Sequence, residues 1–113
     1  QEREAFLAQT NLAQLRPDVD IRLSFPGKYR NFQRHIIAHQ YYMALERQAD
    51  VPYDEAVNSF CDNIYFPLKE LVHDQNMIEN FPRRTEDDLV LWVLDHRQDL
   101  VQALDSLPRP NGE

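Results

Sequence analysis

The stretch KYRNFQRHIIAHQYYMALERQ, residues 28–48, decides the fold class. Tyr29, Phe32, Ile36, His39 and Met43 recur in it at spacings of three and four. That period puts them on one face of an α-helix, and a helix with one apolar face must bury it against other elements. Pro26-Gly27 signals a turn just before the stretch. Asp50-Val51-Pro52 separates it from a second helix running to about Gln75. There Pro52 or Tyr53 stands near the helix start, and Asp54 and Glu55 suit the positive end of its dipole. Val57, Phe60, Cys61, Ile64, Leu68, Leu71 and Val72 form its inward face. Pro67 falls inside it and cannot donate to the carbonyl of Asn63, so a kink is expected there.

Further along, 76–84 reads as a loop anchored by Met77, Ile78 and Phe81. Thr85-Glu86-Asp87-Asp88 resembles a capping box, with Asp88 in the place of the usual Glu or Gln. Asp87 and Asp88 are both assigned to the helix N-terminus. A third long helix then runs to about Leu107, with Leu89, Trp92, Val93, His96, Leu100, Ala103 and Leu104 as its stripe. Pro108 stops it, and the tail 108–113 is expected to fray. Upstream, 2–9 reads as a short helix and 10–19 as an irregular connection with Leu12 and Leu15 turned inward. Asp20–Phe25 alternates like a strand, but the chain offers no second strand to pair with it. It is therefore expected to be an extended arm lying on helices. The expected architecture is all-α, a single helical domain over 1–113. It is a bundle of three long helices plus a short N-terminal helix and an extended arm.

Composition narrows the function. The chain has 113 residues, one domain's worth, and 42% of them are hydrophobic, enough for one core. Two glycines exclude Gly-rich phosphate loops. One cysteine, Cys61, excludes an internal disulfide framework and a Cys-based zinc finger. The longest apolar run, Leu89–Leu94, is too short to span a membrane, and no signal-peptide pattern opens the chain. The first residue is Gln1, as in a trimmed chain or one domain of a longer protein. The net charge is −7, yet Arg16–Arg34 carries a local +3 and the remainder −10. An acidic chain repels nucleic acid, so the basic stretch is expected to be a mixed-charge surface rather than a binding patch.

His39 and His96 are the most informative polar residues. Each falls within an apolar stripe, so both are expected to be largely buried, with at least one donating a hydrogen bond to a buried oxygen. The two could meet in the bundle interior. His35 stands one turn before His39, but Ile36, Ile37 and Ala38 occupy the interval and the zincin glutamate is missing. A metal site would need a third ligand, and the sequence specifies neither a metal nor any other cofactor. Asp62-Asn63-Ile64-Tyr65 forms a second cluster. Asp62 is either a solvated acid or the partner of an arginine on another helix or the arm. Cys61 has no nucleophile signature and reads as packing, and no G-x-S-x-G motif occurs. Tyr41 points away from the main stripe, toward a second contact surface.

Several runs resemble a family of uncharacterised bacterial proteins: AFLAQTNLAQLRP (5–17), DIRL (20–23), HIIAHQYY (35–42), DNIYFP (62–67) and FPRRTEDDLVLWVLDHR (81–97). Together they span nearly the whole chain. The family is of unknown function. Some members carry the label transcriptional regulator, and some resemble a domain found beside kinase-like or stress-protein modules. The resemblance implies that His35, His39, Asp62, Tyr65, Trp92 and His96 belong to the family's characteristic motifs, and that position 61 would be aromatic. It implies no activity and carries over no catalytic residue.

These features favour a non-enzymatic, cytoplasmic helical domain that binds another protein or an adjoining domain. An alternative is a regulatory domain that binds a small ligand or metal through His35, His39, Asp62, Tyr65 and His96. A further alternative is a DNA-linked regulator using the basic arm, which the net charge disfavours.

Overall fold

The computed structural model describes residues 1–107; the expected fraying of 108–113 lies outside them. The described residues are helical and contain no strand. The helices are α1 (Glu2–Thr10), α2 (Leu12–Leu15), α3 (Lys28–Arg47), α4 (Tyr53–Phe60), α5 (Phe66–Asp74), α6 (Glu86–Asp95) and α7 (Arg97–Ser106). A π-helical turn, Cys61–Tyr65, joins α4 to α5, and a 3₁₀ turn, Met77–Asn80, precedes α6.

Of the three long helices that the periodicity suggests, only α3 is one unbroken α-helix. The second is interrupted where Pro67 removes a donor. The chain takes a π turn just before the proline, in which the Phe66 N–H reaches back five residues to the Cys61 carbonyl. The third is interrupted at His96, whose backbone (φ −107°, ψ 8°) lies between α6 and α7. The connection after α1 also holds a turn of helix, α2, and Leu12 within it is fully buried as the hydrophobic pattern requires.

Phe32 on α3 is the centre of the core, with no exposed surface. Its ring meets Phe6, Phe60 and Tyr65 edge-on, at centroid distances of 6.0, 5.7 and 6.0 Å. These edge-to-face pairs tie α1, α4 and the π turn to α3, and the arrangement suits the aromatic quadrupole. Ile36, Val57, Val72 and Val90 complete the same buried cluster. On α6 the buried apolar residues are Leu89, Val90, Leu91 and Leu94, whereas Trp92 is 51% exposed. That differs from the expected stripe. The run Leu89–Leu94 is apolar at every position, so its periodicity could not set the phase.

The arm 20–25 forms neither helix nor strand, and side chains take the place of a second strand. The Arg22 N–H donates to the Asp87 carboxylate (2.8 Å), the Leu23 N–H to the Tyr29 hydroxyl (3.0 Å) and the Ser24 N–H to Asp88 (2.9 Å). In return Arg3 Nε donates to the Ile21 carbonyl (3.0 Å) and the Thr85 hydroxyl to the Arg22 carbonyl (2.6 Å). Backbone groups leaving water need such partners. The arm ends at Gly27, whose φ of 82° favours a residue without Cβ, and whose N–H donates to Glu2 (2.7 Å).

Candidate functional site

A cleft of about 990 Å³ lies between α3, α4 and the α6–α7 junction. His35, His39, Tyr42, Met43 and Glu46 line it from α3, because these positions share one side of that helix at spacings of three and four. Phe60 and Ile64 line it from α4 and the π turn, and Leu94 and Arg97 from the other wall. Phe60 and Leu94 are core residues, so the floor is apolar.

Two polar pairs stand at this cleft. His39 Nε2 lies 2.9 Å from the Ser59 hydroxyl, which also accepts from Asn63 Nδ2 at 3.1 Å. With Asn63 donating to Ser59, the serine proton is available to Nε2 of a neutral imidazole. Burial pushes the His39 imidazole below its ordinary value, and the Arg97 cation pushes in the same direction. His35 Nε2 lies 2.7 Å from Asp95 Oδ1. His39 is half-buried rather than largely buried, because its ring turns across the edge of Phe60 (6.0 Å between centroids) and looks into the open cleft.

His96 lies elsewhere. Its ring stacks on Trp92 (4.3 Å, 21°) and its Nδ1 is 2.8 Å from the Trp92 carbonyl of the same helix. It is only half-buried, which corrects the expectation of an interior histidine, since the break in the helix carries it off the core face. It borders a second, more apolar groove of about 540 Å³, lined by Phe25, Met77, Phe81, Leu89 and Trp92 with Arg84 over the Phe25 ring (3.6 Å). The two histidines thus face different concavities.

Asp62 is exposed and pairs with Arg16 at 2.8 Å, the second of its two expected roles. Arg16 also holds Asp18, and the two carboxylates raise the guanidinium above its ordinary value, Asp18 having the larger effect. Tyr65 is buried, and its hydroxyl donates to Asp87 Oδ1 at 2.7 Å. Burial, then that hydrogen bond, push the phenol far above its ordinary value. Cys61 is buried and its thiol is pushed up to about 11, chiefly by burial, with Arg16 pulling the other way.

Asp87 has a larger part than the sequence indicates. Only 1% exposed, it accepts from Tyr65, from the Arg22 N–H and from Lys69 Nζ (2.9 Å). Asp88 alone completes the capping box, with Thr85 donating its N–H to the Asp88 carboxylate and accepting the Asp88 N–H. Ser59, Lys69 and Arg97 were not singled out from the sequence either. Their partners lie on other elements, so no local spacing marks them.

Among the described residues, no group of three or more His, Cys, Asp or Glu side chains is arranged to hold a metal ion. No helix among them is long and apolar enough to cross a membrane. Comparison with protein-family models, with curated proteins and with solved structures finds no match to this chain.

Proposed function

We propose that this chain is a non-enzymatic, cytoplasmic helical domain, of the bacterial family its motifs resemble, that works by binding another protein through α7. The observation that carries this is the state of α7. Leu100, Val101, Leu104 and Leu107 share one side of it at spacings of three and four, and all are exposed, Leu104 by 67%. Among the described residues, its one substantial neighbour is α6. A helix of ten residues gains little stability from its backbone alone and depends on burying an apolar face. A partner's apolar surface laid against Leu100, Val101 and Leu104 supplies that burial. Trp92, Phe25 and Phe81 are exposed as well, and they line the apolar groove beside His96.

The basic stretch supports a nucleic-acid surface less well. Arg16 is held by Asp18 and Asp62, and Arg22 by Asp20, so part of its charge is already neutralised.

A photoreactive amino acid placed at position 101 in cells tests the proposal. The expected outcome is a discrete covalent adduct, with a second copy or with another protein, that disappears when Leu100→Glu and Leu104→Glu are added. The helical spectrum of the doubly substituted domain should stay intact. No discrete adduct, or one that survives both glutamates, overturns it.

A further inference from the structure

The cleft between α3, α4 and the α6–α7 junction is separate from the α7 face and has its own chemistry. Its floor is apolar: Phe60, Ile64 and Leu94. His39, paired with Ser59, and Arg97, whose charge acts on that imidazole, both line the cleft. The other charges of the cleft are mostly matched. Arg47 forms a bidentate pair with Glu55, and His35 contacts Asp95. Among the described residues Arg97 has no ion-pair partner and Glu46 has none either. Glu46 lies seven residues beyond His39 on α3, about 10 Å along the helix axis. The cleft therefore offers an unpaired cation near His39, an apolar floor, and an unpaired anion about two helical turns further along α3.

We propose that this cleft binds a small organic monoacid, its carboxylate held by Arg97 beside His39 and Ser59, its apolar body laid over Phe60, Ile64 and Leu94. A guanidinium suits a carboxylate because its paired N–H groups match the two oxygens. The volume of about 990 Å³ accommodates an aromatic or short alkyl acid with room for water. Glu46 disfavours a second carboxylate at the distal end, so diacids of similar length are rejected by like-charge repulsion.

The probes are phenylacetate, its neutral counterpart phenylacetamide and the diacid 1,4-phenylenediacetate, followed by amide chemical shifts of the wild-type domain. Phenylacetate should bind saturably, with shifts centred on α3, α4 and residues 94–97. The amide and the diacid should each bind about tenfold more weakly. Arg97→Gln should bring acid and amide to equal affinity, while Arg83→Gln, outside the cleft, should leave the preference unchanged. Glu46→Gln should restore the diacid. Equal binding of acid and amide by the wild type, shifts centred elsewhere, or no saturable binding of phenylacetate at about 1 mM each overturn the proposal.

Discussion

Asp87 accepts the backbone N–H of Arg22 at 2.8 Å across 65 residues of sequence. One carboxylate on α6 thereby anchors an arm that has no strand to pair with. Tyr65 and Lys69 use its other oxygen, so the arm, α6 and the π turn with α5 meet at a single buried side chain.

Replacing that carboxylate should be costly. Asp87→Ala removes three hydrogen bonds at once and leaves the Tyr65 hydroxyl and the Arg22 N–H without an acceptor. Breaking a buried, hydrogen-bonded charge pair typically costs about 3 kcal/mol or more. Asp62→Ala is the contrast. Asp62 is exposed, and Arg16 keeps Asp18 when it is gone. Its loss should cost less than about 1 kcal/mol. Urea denaturation of the two variants checks the order, and similar losses would contradict it.

Asp88 should make the arm acid-sensitive. Burial alone would raise its carboxyl, but hydrogen bonds from Ser24 and Thr85 outweigh it and hold the group below its ordinary value. A carboxylate depressed in the folded state adds stability that is present above its unfolded value and is lost as pH falls through the folded one. Asp88→Asn should therefore flatten the fall in stability below about pH 4. Thr85→Ala should cost about 1 kcal/mol for the helix cap alone. Its amide signals at 22–24 should also shift, because the Thr85 hydroxyl holds the Arg22 carbonyl. Silent arm amides would mean that α6 and the arm are not joined there.

The helical class and α3 were legible because Tyr29, Phe32 and Ile36 show one uninterrupted period, and all three are buried. The phase of α6 was not, since Leu89–Leu94 offers an apolar side chain in every direction and tertiary packing alone chose Leu89, Val90, Leu91 and Leu94. Extending that stripe through His96 placed Leu100 and Leu104 in a core that does not reach them. The buried acid was hidden for another reason. Glu86, Asp87 and Asp88 stand together at a helix start, where acids are favourable on dipole grounds alone. What separates Asp87 from its neighbours is the position of Arg22, Tyr65 and Lys69, none of them local in sequence. The His39–Ser59 pair was half legible: the histidine stood in the stripe, but its partner lies twenty residues away on α4.

Cys61 should behave as packing rather than as a nucleophile. Its thiol is buried and pushed up to about 11, from an ordinary value of 9.0. That difference alone lowers the thiolate fraction about 100-fold at pH 8, before access is considered. Labelling by a disulfide reagent should be slow in native buffer and rapid in urea, with a midpoint coincident with that of helix loss. Fast native labelling would show the π turn to be open.

His73 and His39 should titrate on opposite sides of the ordinary imidazole value of 6.5. The hydrogen bond from His73 Nδ1 to Glu86 (2.9 Å), with that carboxylate's charge, raises His73. Its pairing adds stability that is fully present below 6.5 and is lost as pH rises through the raised value. His39 has the opposite sign. Burial opposes its proton, so its contribution is present above 6.5 and is lost as pH falls through that value toward the lowered one. The two effects fall on opposite sides of 6.5, so their joint contribution to stability is greatest near that value, and imidazole ¹⁵N signals assign each limb to its histidine. Glu86→Gln should return His73 toward 6.5 and leave His39 unmoved. Ser59→Ala should leave His39 low, because burial and then the Arg97 cation lower it, not the serine. A titration in which His39 takes up its proton at higher pH than His73 would contradict the half-buried position of its ring beside Phe60.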